Sequence, residues 1–251
     1  MTYNTDGIIL KYRDIGEYER IYTILTRDHG KIEAWGQGVR KPQSKLSPHL
    51  QSLYLCDFML ARGRRFDRVA QVKVKNYFSE LWADLQKLSR AVYAAALVDL
   101  VLRPGTKEKT IFELFHGTLN LLEQNTGAIE VVFSLKLLKD TGFTPQLHNC
   151  VMCKKTVEGI SRPFEAVKGG VLCEDCFRQF GAESFPVSSI TVDVLEALFG
   201  APLSAPEMPS PVQKELSDIA ATMIQAHFGE MPKAQYFMVS LTQELHTPVG
   251  V

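Results

Sequence analysis

At 251 residues the chain is long for one compact unit and short for more than three, and its 45% hydrophobic content is enough for a sizeable core. Five cysteines are too few for a disulfide scaffold of this length. The start, MTYNTDGIIL, lacks the basic region and apolar run of a secretory leader, and the longest apolar-rich stretch, 91–102, is broken by Asp99 and is too short to cross a bilayer. A soluble, cytoplasmic protein is expected. The net charge is zero, yet residues 1–80 hold 14 Lys and Arg against 9 Asp and Glu, and the remainder holds 14 against 19. That asymmetry turns the first part toward a polyanion, although a surplus of this size also fits the scatter of a solvated surface.

The first 78 residues alternate with a period of two. TDGIILKYRD sets Ile8, Leu10 and Tyr12 on one face, and ERIYTILTR sets Ile21, Thr23 and Leu25 against Tyr22, Ile24 and Thr26. After the turn signal DHG come KIEAWGQG, LQSLYLCDFMLARG and DRVAQVKVKNY, giving five strands with glycine-rich breaks. Five strands in so short a span fit an OB-fold β-barrel, and an SH3-like barrel shares the pattern. Cys56, unpaired in sequence, reads as a core residue of the fourth strand.

The breaks are basic. GQGVRKPQSKLSP carries Arg40, Lys41 and Lys45, and RGRRFDR carries Arg62, Arg64, Arg65 and Arg68 around Phe66. Guanidinium groups pair with phosphates, and an aromatic ring among them can stack a base. Tyr12 and Trp35 are further stacking candidates. For Trp35 or Phe66 alone a core role is the stronger expectation, and a four-arginine turn can also be simply solvated.

From Ser79 the period becomes helical. One helix is expected over 79–102, ended by Pro104-Gly105, followed by EKTIFELFHGTLNLLEQN and GAIEVVFSLKLLKDTG; SITVDVLEALFG, VQKELSDIAATMIQAHFG and KAQYFMVSLTQEL supply three more. Between the third and fourth lie Cys150-x2-Cys153 and Cys173-x2-Cys176, separated by 19 residues. Two such knuckles complete the four-thiolate shell that zinc favours in structural sites. The alternatives are free apolar cysteines or a redox pair, for which the expected βαβ context is missing. His148 is a possible stray ligand but reads as a surface residue. A full four-thiolate shell keeps no open position for water, so such a metal holds structure and does not catalyse. The domains expected are therefore 1–78, a barrel; 79–145 with 181–251, all-helical; and 146–180, a zinc-knuckle insertion. No phosphate loop, dinucleotide fingerprint, G-x-S-x-G or H-E-x-x-H motif is present, which shifts weight from catalysis to binding.

DGIILKYRDIGEYERIYTILTRDHGKI, GVRKPQSKL, LLKDTGFTPQLHNCVMCKK and GGVLCEDC, in that order, resemble the RecO family of bacterial recombination mediators, with a looser likeness at HFGEMPKAQYFM. The resemblance implies an amino-terminal OB fold that contacts single- and double-stranded DNA, annealing of complementary strands, and no enzymatic activity. It also implies partnership with RecR and with the carboxy-terminal tail of single-stranded DNA-binding protein, in support of loading a RecA-type recombinase. Some family members lack the cysteines, so the metal, one structural zinc, would serve the fold. A groove for the tail is expected near Lys214 and Lys233 among Leu216, Met223, Phe228 and Phe237, residues whose individual reading is core packing. The competing class is a zinc-containing nuclease or other hydrolase acting on nucleic acid; a zinc-ribbon transcription factor is weaker.

Overall fold

The computed structural model describes residues 1–105, 109–124 and 127–244. Packing divides them into two compact units. One holds the described residues of 1–126 together with those from Pro232 onward, and the other holds Gly127–Met231. The expected boundaries at 78, 145 and 180 follow element type, whereas these units follow packing.

In the first unit, β1 (Thr2–Ile15), β2 (Glu19–Thr26), β3 (Gly30–Gly36), β4 (Leu55–Ala61) and β5 (Asp67–Asn76) form a closed barrel in the order β1-β2-β3-β5-β4. β1 is shared between β2 and β4, and the parallel meeting of β3 with β5 completes the ring. This is the OB arrangement and not the SH3-like one. Ile9, Tyr22, Ile24, Phe58, Leu60 and Val69 fill the interior with Cys56, whose thiol is pushed up to about 12 by burial. The single-face reading of Ile8, Leu10 and Tyr12 needs correction. A register shift between Ile9 and Lys11 interrupts the alternation, so Ile8, Ile9 and Leu10 are all buried while Tyr12 is exposed. β2 is buried on both faces from Ile21 to Thr26.

The helix expected over 79–102 is two helices, α1 (Ser79–Ala83) and α2 (Leu85–Val101). Between them Asp84 is extended, at φ −128° and ψ 115°, and its carboxylate accepts the amides of Gln86 (2.8 Å) and Lys87 (3.1 Å). An aspartate competes well for the free amides of a helix start, and here it begins a new helix instead of continuing the old one. α3 (Lys109–Gln124) packs on α2.

The second unit contains α4 (Ile129–Asp140), β6 (Ser161–Glu165), β7 (Gly170–Val171), α5 (Glu174–Phe180), β8 (Phe185–Ser188), α6 (Ser189–Gly200) and α7 (Ser210–Phe228). The three strands form a sheet in the order β7-β6-β8. α4 is buried from Ile129 to Leu138, and its Lys136 ends α6 by donating to the carbonyls of Leu198 (2.6 Å) and Ala201 (2.7 Å). Glu215 of α7 holds the start of α6, accepting from the Ser188 amide (2.8 Å) and hydroxyl (2.9 Å). The last helix, α8 (Lys233–Glu244), belongs to the first unit and packs on α2. Among the described residues no helix is long and apolar enough to cross a membrane.

Asp99, the residue that interrupts the apolar run of α2, ties that helix to the barrel. Its carboxylate meets Lys11 of β1 at 2.6 Å and Lys31 of β3 at 3.1 Å, and Lys31, buried, also donates to the Asp99 carbonyl at 2.5 Å. Burial works to raise the Asp99 carboxyl, but the hydrogen bonds and charges of the two lysines outweigh it and hold it below the ordinary 3.8. A carboxyl depressed in the folded state stabilises the protein above its unfolded value, and that contribution is lost as pH falls through the folded value. Asp99→Asn should therefore cost about 3 kcal/mol in urea denaturation at neutral pH, because Lys31 keeps its charge with one partner fewer. The gap from the parent should close below about pH 4. Equal denaturation midpoints at neutral pH would show that the triad does not hold the helix.

Candidate nucleic-acid interface and metal centre

β5 begins at Asp67, opposite Ala34, so the β4–β5 turn lies against the end of β3, where the β3–β4 connection departs. Asp67 fixes that turn. One carboxylate oxygen accepts the Gly63 amide at 3.1 Å and the other accepts the Tyr3 phenol. Burial, and then the Asp67 carboxylate, push the Tyr3 phenol far up, so it remains a donor. Gly63 is required by space: a Cβ there would sit 1.9 Å from the Phe66 carbonyl oxygen. The β1–β2 turn is joined to the β3–β4 connection through Arg40. Its amide donates to the Tyr18 carbonyl (3.0 Å), and its guanidinium reaches the Gly16 carbonyl (3.4 Å) and Asp14 (3.5 Å).

Of the seven cations expected in these loops, Arg40 is thus paired with an acid. Lys41, Lys45, Arg62, Arg64, Arg65 and Arg68 are all exposed, and among the described residues none of them has a carboxylate within ion-pairing distance. Asp67 does not neutralise them, because neutral donors occupy it. Arg68 lies beside Trp35 across the parallel pairing, and Trp35, half-buried, occupies an outward position between the buried Ala34 and Gly36.

The rings carry cations. The Arg65 guanidinium stands 5.0 Å from the centre of the half-buried Phe66 ring, and Arg13 of β1 stands 5.8 Å from it. Arg20 covers Tyr12 at 4.1 Å while held by Asp14 at 2.8 Å; Lys41 covers Tyr18 at 5.4 Å, and Arg62 covers Tyr3 at 4.7 Å. Sequence reasoning singled out neither Arg13, Arg20, Tyr3 nor Tyr18. Arg13 directly follows Tyr12, the one local signal available; the other pairs join separate strands and turns and leave no spacing to read.

In the second unit the four cysteine sulfurs lie within 4.8 Å of one another, with Cys153 and Cys173 3.5 Å apart. A tetrahedral shell with Zn–S bonds of about 2.3 Å needs sulfurs about 3.8 Å apart, so the cluster fits a metal ion. The first knuckle is a tight hairpin. The Cys150 amide donates to Lys155 (2.8 Å), the Lys154 amide returns to Cys150 (2.9 Å), and Lys154 takes a left-handed φ of 66°. Cys173 caps α5, placing Cys176 in its first turn, and the Val151 amide bonds to Val171 (3.0 Å), uniting the knuckles. Burial opposes ionisation of Cys150, but the backbone amides of Cys153, Cys173 and Met152 outweigh it and bring the thiol down to about 6. Cys176 is pushed up to about 12, first by desolvation and then by the other sulfurs. A thiol favoured as thiolate beside one opposed by its neighbours is the arrangement a cation relieves, which suits a metal donor set. His148 is no ligand: its Nε2 bonds to Glu196.

An OB barrel with cation-bearing loops, joined to helices and a four-sulfur centre, defines the class. Residues 1–78 match the family model described as Recombination protein O N terminal, and residues 83–235 match Recombination protein O C terminal. The DNA repair protein RecO of Desulforamulus reducens is 31% identical over 240 residues, covering 94% of this chain and 93% of that protein. That of Rubrobacter xylanophilus is 31% identical over 228 residues, covering 90% and 92%. That of Desulfitobacterium hafniense is 33% identical over 178 residues, 70% of this chain, and the match spans 65% of that relative's length. The chain belongs to the RecO family.

The Gly63 contact gives a direct check on the turn. Gly63→Ala should lower barrel stability by about 1–3 kcal/mol in chemical denaturation, because the methyl group must displace backbone. Parental stability would mean that the turn is not held in this conformation.

Proposed function

We propose that this chain is a non-enzymatic, cytoplasmic mediator of recombinational repair that binds single- and double-stranded DNA through its barrel and anneals complementary strands. The observation that carries the reading is the set of six exposed cations, on the β3–β4 connection, the β4–β5 turn and the start of β5, that among the described residues have no carboxylate within ion-pairing distance. Arg40, Lys41, Lys45, Arg62, Arg64, Arg65 and Arg68 are the proposed phosphate contacts, with Tyr12, Trp35 and Phe66 as the aromatic members of the surface. By family likeness the partners are RecR and the tail of single-stranded DNA-binding protein, in support of loading a RecA-type recombinase. The residues first expected to line the tail groove are poorly placed for it. Leu216 and Met223 are buried, Lys214 pairs with Asp218 at 2.7 Å, and Phe228 packs on Phe143 at 5.3 Å. Lys233 and Phe237 remain exposed on α8.

Each phosphate contact to a single strand contributes about −0.7 to the slope of log affinity against log salt, so four contacts give about −3. Changing Arg64 and Arg65 together to Glu should weaken binding to all sequences alike and flatten that slope, with folding intact because exposed charges add little stability. Unchanged affinity and slope in a folded variant would move the DNA site off this turn.

We infer that Cys150, Cys153, Cys173 and Cys176 hold one structural zinc. When bound, the ion would neutralise the thiolates and join the two knuckles. Elemental analysis should find about one zinc per chain, and Cys153→Ser should lose the metal and loosen the segment, since binding and local folding are coupled. Metal-free protein with four freely titrating thiols and an unchanged fold would overturn the assignment. A hydrolase reading draws no support from this donor set, which already fills a tetrahedral shell.

A further inference from the structure

Phe66, Tyr12, Tyr18 and Tyr3 are aromatic side chains of the kind that usually stack bases in strand-binding barrels. Here each ring lies within 6 Å of a cation: Arg65 and Arg13 at Phe66, Arg20 at Tyr12, Lys41 at Tyr18 and Arg62 at Tyr3. A base and a guanidinium compete for the same ring face. Much of the other ring surface is also engaged. The Tyr12 ring lies 5.9 Å from that of Tyr22, Tyr3 packs edge-on to His29 at 4.5 Å, and Phe66 is half-buried. Trp35 is the exception, with no cation over it among the described residues.

We infer that Phe66, Tyr18 and Tyr3 are positioning residues: they hold cations for the DNA backbone and do not stack bases, so the barrel reads a polyanion and not base identity. The inference rests on the proposed barrel–DNA contact. A guanidinium resting on a ring keeps its charge and all its donors while losing rotational freedom, so less freedom remains to be lost when a phosphate docks. Arg13 shows the arrangement best. It comes from β1, contacts Glu33 only at 3.5 Å, and reaches the Phe66 ring on a different loop. Phe66 thereby aligns cations from two separate segments. Such a surface suits a protein that engages both single strands and duplexes, because the phosphate backbone is common to both and unstacked bases are not.

The test measures full-length protein on two single strands of equal length, one of thymidine nucleotides and one with the same sugar-phosphate backbone and no bases. Phe66→Ala should weaken binding to both strands by the same factor, about two- to fivefold. It should also flatten the salt slope by about 0.7, the share of one phosphate contact. Phe66→Leu, which keeps apolar bulk without a ring, should behave like Phe66→Ala, and Phe66→Tyr should restore both affinity and slope. A loss confined to the base-bearing strand would make Phe66 a stacking residue and overturn the inference, as would no loss on either strand. If Phe66→Ala fails to fold, Arg13→Gln gives the same reading with the ring intact: equal losses on both strands are expected, and an unchanged slope overturns the inference. The Arg64 and Arg65 reversal separates the two levels. An effect there with a base-dependent Phe66 loss sinks only this inference, whereas no effect there moves the DNA site off the β4–β5 turn and removes the reading on which this inference rests.

Discussion

The barrel closes over two residue pairs, Ala34 with Asp67 and Trp35 with Arg68, and the arrangement of the loops depends on that closure. Two pairs make a short ladder. Asp67 reinforces it from the side chain, accepting the Gly63 amide and the Tyr3 phenol at once. A buried or half-buried carboxylate with both oxygens occupied is restrained far more than one facing water. The same contacts bring the start of β1, the β4–β5 turn and the end of β3 to one rim. Arg62, Arg64, Arg65 and Arg68 therefore spring from a backbone whose course is already set, which reduces the ordering that a ligand must impose.

The second unit solves a different problem. Its strands span five, two and four residues, and a sheet of that size is marginal without further support. The backbone supplies part of that support. Gly170 lets its neighbour approach so closely that a Cβ would meet the Gln146 carbonyl oxygen at 2.3 Å, and the Val171 amide donates to the Gln146 carbonyl while the Val171 carbonyl accepts the Val151 amide. The two knuckles are thus brought together by main chain as well as by sulfur. The acidified Cys150 shows why main chain alone is an incomplete answer: amides aimed at one sulfur favour its charge, and ionisation of Cys176 is then opposed by burial and by the neighbouring sulfurs. A divalent ion removes that opposition, and its binding becomes folding energy for the segment.

How much of this was legible in the sequence follows from the range over which each signal acts. Period-two runs of seven or more residues identified all five barrel strands, and the C-x2-C spacing identified the four sulfurs that meet in space. The β1 register shift was not legible, because one extra residue in a strand leaves no compositional mark. Asp84 falls inside the single helix expected over 79–102; whether an aspartate continues a helix or caps a new one depends on the backbone it enters. β6, β7 and β8 were too short to show alternation at all. The cation–ring pairs were out of reach for another reason. Arg13 meets Phe66 and Tyr3 meets Arg62 only because the barrel closes, so each pair is a property of the topology.

The same closure explains how a chain of zero net charge presents a cationic rim. Several acids of the first unit are taken by strand cations. Asp6 takes Lys75 and Arg27, Asp14 takes Arg20 and Arg40, and Asp99 takes Lys11 and Lys31, whereas Glu33 meets Arg13 only at 3.5 Å. Most of the cations so paired are on the strands, where neutralisation lets side chains pack closely and serves the fold. Asp67, the acid nearest the arginine turn, is instead held by an amide and a phenol and spends none of its hydrogen-bonding capacity on a guanidinium. Had Asp67 paired with Arg64 or Arg65, the turn would be more neutral and less rigid at once. At physiological salt, charges more than about 8 Å apart are largely screened from one another. A ligand approaching the rim therefore meets the local excess of Lys41, Arg62, Arg64, Arg65 and Arg68, and the formal balance of the whole chain has little bearing on what it feels.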